Sequence, residues 1–129
     1  MISITAKSTY ALDALVELAI SPELTPVPVA EIARRRGVPP QFLEQICASL
    51  RRAGILKSQR GVKGGYLLAK QADQISVVEV VELLDGKVGA GSQGVVAEAA
   101  EAARQVLSNL TIADLAERES QTESPMYYI

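Results

Sequence analysis

The stretch from Pro39 to Leu68 constrains the fold more than any other part of the chain. Its first part predicts a helix, because apolar residues recur at every third or fourth position: Phe42, Leu43, Ile46, Cys47 and Leu50. Gly54 follows, and glycine readily adopts the left-handed conformation that ends helices. Residues 55–59 and 65–68 then read as short strands around a basic, glycine-rich tip at 60–64. The stretch therefore predicts a helix followed directly by a β-hairpin.

A helix with a polar outer face before a basic hairpin is the sequence outline of a winged helix, in which the helix enters the major groove of DNA. The preceding residues fit this outline, because Val29 to Arg36 predict a short helix and Gly37 a tight turn. We therefore predict a mainly α fold, with a winged helix-turn-helix and a two-stranded β-wing in residues 1–70. The arginine run at 34–36 is predicted to form a solvated face.

The net charge of −2 does not exclude a nucleic-acid partner, because the charge is unevenly distributed. Residues 1–70 hold ten Lys and Arg against five Asp and Glu. Residues 71–129 hold three basic and ten acidic residues. DNA responds to a local basic face rather than to the total charge.

The second half of the chain predicts an assembly region. Ser76 and Glu79 form a capping box before a helix that runs to Asp85, and a loose, glycine-rich loop follows at 86–94. A long alanine-rich helix is predicted at 95–109. Its apolar residues are spaced by three and four, which is typical of paired helices. The predicted dimer-interface residues are Val96, Ala99, Ala103, Val106, Leu107 and Leu110. The alternative is a helix buried in the chain's own core.

These predictions divide the chain into three parts. The winged helix-turn-helix occupies residues 1–70, and a helical dimerisation region occupies residues 71–118, ending in a short helix that starts near Thr111. Residues 119–129 are predicted to be a flexible tail that begins with a polar linker.

Three segments carry a family resemblance: FLEQ at 42–45, LRRAGILKSQRG at 50–61 and GGYLLAK at 64–70. With them, nearly the whole chain resembles the Rrf2 family of winged-helix transcriptional regulators. The resemblance implies a homodimer that binds a near-palindromic operator on double-stranded DNA, as a repressor.

The resemblance also assigns roles to the polar residues of the helix and the hairpin. By position, Gln41, Glu44 and Gln45 face base edges, where Gln can pair with adenine and Glu can accept from cytosine. The residues implied to hold phosphates are Arg51, Arg52, Lys57 and Lys63. Arg60, at the hairpin tip, is implied either to enter the minor groove or to hold a phosphate. Apart from the resemblance, the apolar spacing of residues 5–20 predicts a first helix, and Lys7 near its start is either a further phosphate contact or a solvated lysine.

The cysteine content separates this chain from part of the family. Iron–sulfur members carry three cysteines in the loop that corresponds to residues 86–94, and here that loop has none. We therefore expect no iron–sulfur cluster, no metal and no other cofactor. Cys47 is interpreted as a small buried hydrophobe. A redox-sensing thiolate near Arg51 remains the alternative.

The chain ends in Tyr127, Tyr128 and Ile129. Family members of the CymR type also lack the cluster and have a similar end. The resemblance implies cysteine synthase (O-acetylserine sulfhydrylase) as a partner, and through it a role in cysteine metabolism. A terminal carboxylate can be captured by backbone donors, and the aromatic rings add rigid contact area. The alternative is a frayed end or a tail folded back on the dimer.

Several other functions are disfavoured. The chain has no histidine for a Ser-His or Cys-His pair and no Walker phosphate loop, so we predict that it is not an enzyme. No apolar run approaches the roughly 20 residues of a membrane span, and the start does not resemble a secretory signal. We therefore expect a cytoplasmic protein without a membrane partner. Two alternatives remain: a regulator of the same family that responds to a metabolite or to oxidation, and a winged-helix interaction module that does not bind DNA.

Overall fold

The computed structural model describes residues 4–21, 25–61 and 64–122. Within them lie six α-helices, a short 3-10 helix and one antiparallel two-stranded sheet. In chain order the elements are α1 (Ala6–Ile20), α2 (Val29–Arg36), α3 (Pro40–Arg52), β1 (Leu56–Gln59), β2 (Gly65–Leu68), the 3-10 helix (Ala72–Gln74), α4 (Val77–Asp85), α5 (Gly94–Ser108) and α6 (Ile112–Thr122). This arrangement confirms the predicted winged helix-turn-helix.

The main core forms around α1, which packs against α2, α3, α4, α6 and the wing. Its fully buried side chains come from six elements and one connection: Leu15, Ile32, Leu43, Leu50, Leu56, Ile75, Val80 and Ile112. Burial of this many aliphatic side chains is the chief stabilising contribution to the domain. Because Ile112 belongs to this core, α6 packs on the winged helix.

The turn of the helix-turn-helix and the wing both depend on glycine. Gly37 ends α2 in the left-handed conformation, with φ of +65°, as predicted. In the wing, Leu56 pairs with Leu68 and Gln59 with Gly65. A Cβ on Gly65 would lie 2.3 Å from the backbone of Val27, so only glycine allows that segment to pair alongside β2.

The prediction that the arginine run at 34–36 is a solvated face holds for Arg34 and Arg35, which are exposed, and is wrong for Arg36. Arg36 is only 15% exposed, and its guanidinium forms ion pairs with Glu17 at 3.0 Å and Glu119 at 2.9 Å. Arg35 also binds Glu17, at 3.0 Å. Arg34 and Arg35 are both exposed, and both pair with Glu31. Arg35 and Arg36 form these ion pairs because Glu17 of α1 and Glu119 of α6 lie beside the end of α2.

The last helix is longer than the sequence analysis predicted. Residues 119–122, expected to begin a flexible linker, continue α6 to Thr122. Leu115 and Ala116 pack α6 against the main core, and Glu119 anchors its last turns through Arg36. The tail residues 123–129 lie outside the described residues.

A second, smaller core joins α4 to α5. Val77, Val81, Val88 and Ala100 are its buried members. The loop at 86–93, predicted to be loose, is anchored: the amide of Val88 donates to Glu82 at 3.0 Å, and Arg104 pairs with the same carboxylate at 2.9 Å. None of the described helices is both long and apolar enough to cross a membrane.

Candidate nucleic-acid interface

The helix α3 separates its apolar and polar side chains cleanly. Leu43, Ile46, Cys47 and Leu50 are buried, whereas the three predicted base-reading residues, Gln41, Glu44 and Gln45, are exposed. Positions three and four apart share one face of a helix, so these three side chains lie together near the start of α3. The structure therefore presents them as one polar surface.

The first turn of α1 lies beside this surface. Lys7, Gln45 and Ser49 line one shallow depression, together with Phe42 and Ile46. Tyr10 meets Phe42 edge to face, with ring centroids 5.6 Å apart, and this contact packs α1 against α3. The sequence alone left two interpretations of Lys7, a phosphate contact and a solvated lysine. In the structure, Lys7 belongs to the face that carries Gln45.

The cations predicted to bind phosphate flank the same helix. Arg51 and Arg52 form its last turn, where positive charge also complements the helix dipole. Lys57 lies on β1 and Arg60 just beyond it, and both are exposed. Lys63 lies outside the described residues. Tyr66 is partly buried against the main core, so it packs the wing.

Ion pairing divides the basic residues into two groups. Each arginine from 34 to 36 is paired with a glutamate. By contrast, Arg51, Arg52, Lys57 and Arg60 form no ion pair among the described side chains. Their charges are therefore available to an external anion, whereas the arginine run that is more conspicuous in the sequence holds helices together.

Cys47 is completely buried on the inner face of α3. Burial, with a further contribution from the negative charge of Glu44, raises the pKa of its thiol to about 12. At neutral pH the group is therefore a thiol rather than the reactive thiolate. This supports the interpretation of a small buried hydrophobe over a redox sensor.

The exposed apolar surface of α5 differs in detail from the predicted seam. Ala103, Leu107 and Leu110 pack against the smaller core of their own chain. An exposed stripe runs along the other side, through Val95, Ala99, Ala102 and Val106, spaced by four, three and four. Val95 is 77% exposed and Val106 61%. The predicted seam therefore combined residues that pack on their own chain with residues that are exposed, because sequence spacing alone does not distinguish the two faces.

Comparison with known proteins places the chain among transcription factors. The Rrf2 family model, described as an iron-dependent transcriptional regulator, matches residues 4–94. The HTH-type transcriptional regulator IscR of Cronobacter sakazakii is 44% identical over 87 residues, which cover 67% of this chain and 54% of that protein. IscR of Escherichia coli K12 is 42% identical over the same lengths. The chain thus spans about half the length of these curated relatives.

Solved structures extend the similarity to nearly the whole chain. CymR, the global cysteine regulator of Bacillus subtilis, superposes with a TM-score of 0.84 at 29% identity and covers 92% of this chain and 98% of its own. IscR of T. potens gives a TM-score of 0.78 at 30% identity, with coverages of 99% and 97%. The chain therefore belongs to the Rrf2 family of winged-helix transcriptional regulators, proteins that act by binding DNA and are not enzymes.

Proposed function

We propose that this protein is a transcriptional repressor that binds a near-palindromic operator as a homodimer. One observation carries the proposal: the exposed polar turn of α3 is flanked by cations that have no acidic partner among the described residues. A helix of this kind fits the major groove, and unpaired Lys and Arg gain most from neutralising phosphates.

The residues divide into two roles. Gln41, Glu44 and Gln45 read base edges from the exposed face of α3. Phosphate contacts fix the register and supply most of the salt-dependent affinity without reading sequence. The residues assigned to them are Arg51, Arg52, Lys57, Arg60 and, outside the described part of the chain, Lys63.

The dimer forms through the exposed stripe of α5. Valine and alanine on one face allow two helices to approach closely, and a second copy would remove this apolar surface from water. In the proposed interface, Ala99 and Val106 of the stripe contact the twin directly, and Val96, which is 52% exposed beside the stripe, contacts it at the edge. Ala103, Leu107 and Leu110 support the helix from beneath, because they already pack on their own chain.

We propose that the protein holds no iron–sulfur cluster, although its family is described as iron-dependent. The loop at 86–93 offers no cysteine, and no group of three or more metal-binding side chains occurs in the part of the chain that the structure describes. Val88 fills the loop from within, and Glu82 and Arg104 fix it. These residues do not fit a cluster, so the loop is held by side chains instead.

We further propose that the tail ending in Tyr127, Tyr128 and Ile129 binds cysteine synthase and connects the repressor to cysteine supply. The structural similarity to a protein described as a global cysteine regulator supports this assignment.

The test is a selection of genomic DNA fragments by the purified protein, with and without cysteine synthase. We expect enrichment of a small set of sites and a change in their occupancy when the enzyme is added. Deleting Ile129 should remove the effect of the enzyme and leave the enriched sites unchanged. No enrichment would refute DNA recognition, whereas an unchanged enzyme effect would refute the role of the tail.

A cavity supports a metabolite as a second candidate signal. A half-open space of about 360 Å³ lies between the end of α1 and β2, with Leu18, Ala19, Leu67 and Leu68 among its walls. Small-molecule sites are commonly of this size and mostly apolar. Filling the cavity with Ala19→Phe should abolish the response of DNA binding to such a metabolite, and a retained response would exclude this site.

A further inference from the structure

The carboxylate of Asp85, the last residue of α4, binds the first turn of α1 across the fold. It accepts the backbone N–H of Thr5 at 2.8 Å and the hydroxyl of Thr5 at 2.6 Å. It also accepts the hydroxyl of Ser8 at 2.5 Å, and Ser8 is fully buried. Three donors from one turn of a helix therefore converge on a single side chain from a distant element.

These bonds fix the backbone on which Lys7 stands. Thr5 is the N-cap of α1, and its hydroxyl oxygen also accepts the N–H of Lys7 at 3.2 Å. Burial raises the pKa of Asp85, but hydrogen bonds from Ser8 and Thr5 outweigh it and hold that pKa below its ordinary value. The carboxylate is thus ionised at neutral pH, and it complements the positive end of the helix dipole.

The side chain of Lys7 reaches the DNA-facing side of the molecule. It is exposed, and it lines the same depression as Gln45 and Ser49 of α3. Lys7 forms no ion pair within 4.0 Å among the described residues. The positive charge of Lys7 also contributes to lowering the pKa of the Asp85 carboxyl.

We propose that Lys7 binds a backbone phosphate next to the bases faced by Gln45, and that Asp85 is the positioning residue for this contact. The inference rests on the proposed DNA binding. Asp85 does not touch DNA in this arrangement, because its oxygens are occupied by Thr5 and Ser8. It acts by fixing the position of the first turn of α1, so that the ammonium of Lys7 reaches the phosphate.

The experiment measures how the affinity for one operator fragment depends on salt. Each phosphate contact adds about 0.9 to the slope of log K against log salt, so Lys7→Gln should reduce the slope by about 1.8 per dimer. Asp85→Ala should reduce it similarly, and the double variant no further than either single one. Lys70→Gln is the matched control, because Lys70 is already paired with Glu79 at 3.1 Å. It should leave the slope unchanged.

A purely structural role for Asp85 predicts a different pattern. Asp85→Ala would then lower thermal stability but leave the salt slope of the folded fraction at the wild-type value, and this result would overturn the proposal. If Asp85→Ala does not fold, Asp85→Asn preserves the size of the side chain and should reduce the slope in the same direction. A wild-type slope in Lys7→Gln would refute this inference alone, while absence of binding by the wild type would refute the proposed function itself.

Discussion

Replacing Val106 by alanine should weaken the dimer while leaving the protomer folded. The change removes two methyl groups, each worth about 0.8 kcal/mol when fully buried. Val106 is 61% exposed in a single protomer, so dimerisation can bury at most that share. The loss is then about 1 kcal/mol per protomer and about 2 kcal/mol for the pair. That corresponds to a dimer dissociation constant about 30-fold higher.

Sedimentation equilibrium across a range of protein concentrations measures this constant directly. Alanine favours helix more than valine does, so α5 itself is not weakened by the change. Gln105→Ala is the matched control, because Gln105 is the exposed neighbour on α5 that lies off the stripe. A dimer of Val106→Ala as tight as the wild type, or a control that weakens equally, would show that the stripe is not the interface.

Three further predictions concern single side chains. Because burial raises the pKa of Cys47 to about 12, iodoacetamide at neutral pH should label the thiol only after denaturant is added; rapid labelling of the native protein would contradict its burial. Folding lowers the pKa of Asp85, so its stabilising contribution is complete above the ordinary value of 3.8 and is lost as the pH falls through the folded value. Asp85→Asn should therefore have a lower melting temperature at neutral pH but a smaller further loss in acid, and a loss parallel to that of the wild type would argue against the assignment. Arg60→Gln should reduce the salt slope of DNA binding by about 1.8 per dimer at unchanged sequence preference, whereas Gln45→Ala should change the preferred base at an unchanged slope; the reverse pattern would exchange their roles.

Local patterns predicted most of the fold. These patterns involve residues only a few positions apart: the glycine at 37, the spacing of Phe42, Ile46 and Leu50, and the capping box at Ser76. The observed bounds of α2, α4 and β2 agree with prediction. The exposure of Gln41, Glu44 and Gln45 also followed from helical periodicity.

Long-range pairing was not predictable in the same way. Glu17, Arg36 and Glu119 lie far apart in the sequence, and only the packing of α1, α2 and α6 brings them together. The hydrogen bonds from Thr5 and Ser8 to Asp85 span about eighty residues and leave no local signal. On α5, the inward-facing residues come one position after the exposed ones, so both sets have the same spacing in the sequence. The position of α4 decides which set faces the core.

The central claim is that two copies of α3, paired by α5, read one symmetric site. A hydroxyl-radical footprint on an operator obtained by selection tests it directly. We expect two protected patches on one face of the duplex, related by two-fold symmetry and centred about one helical turn or a small multiple of it apart. A single patch, or protection without symmetry, would contradict the account.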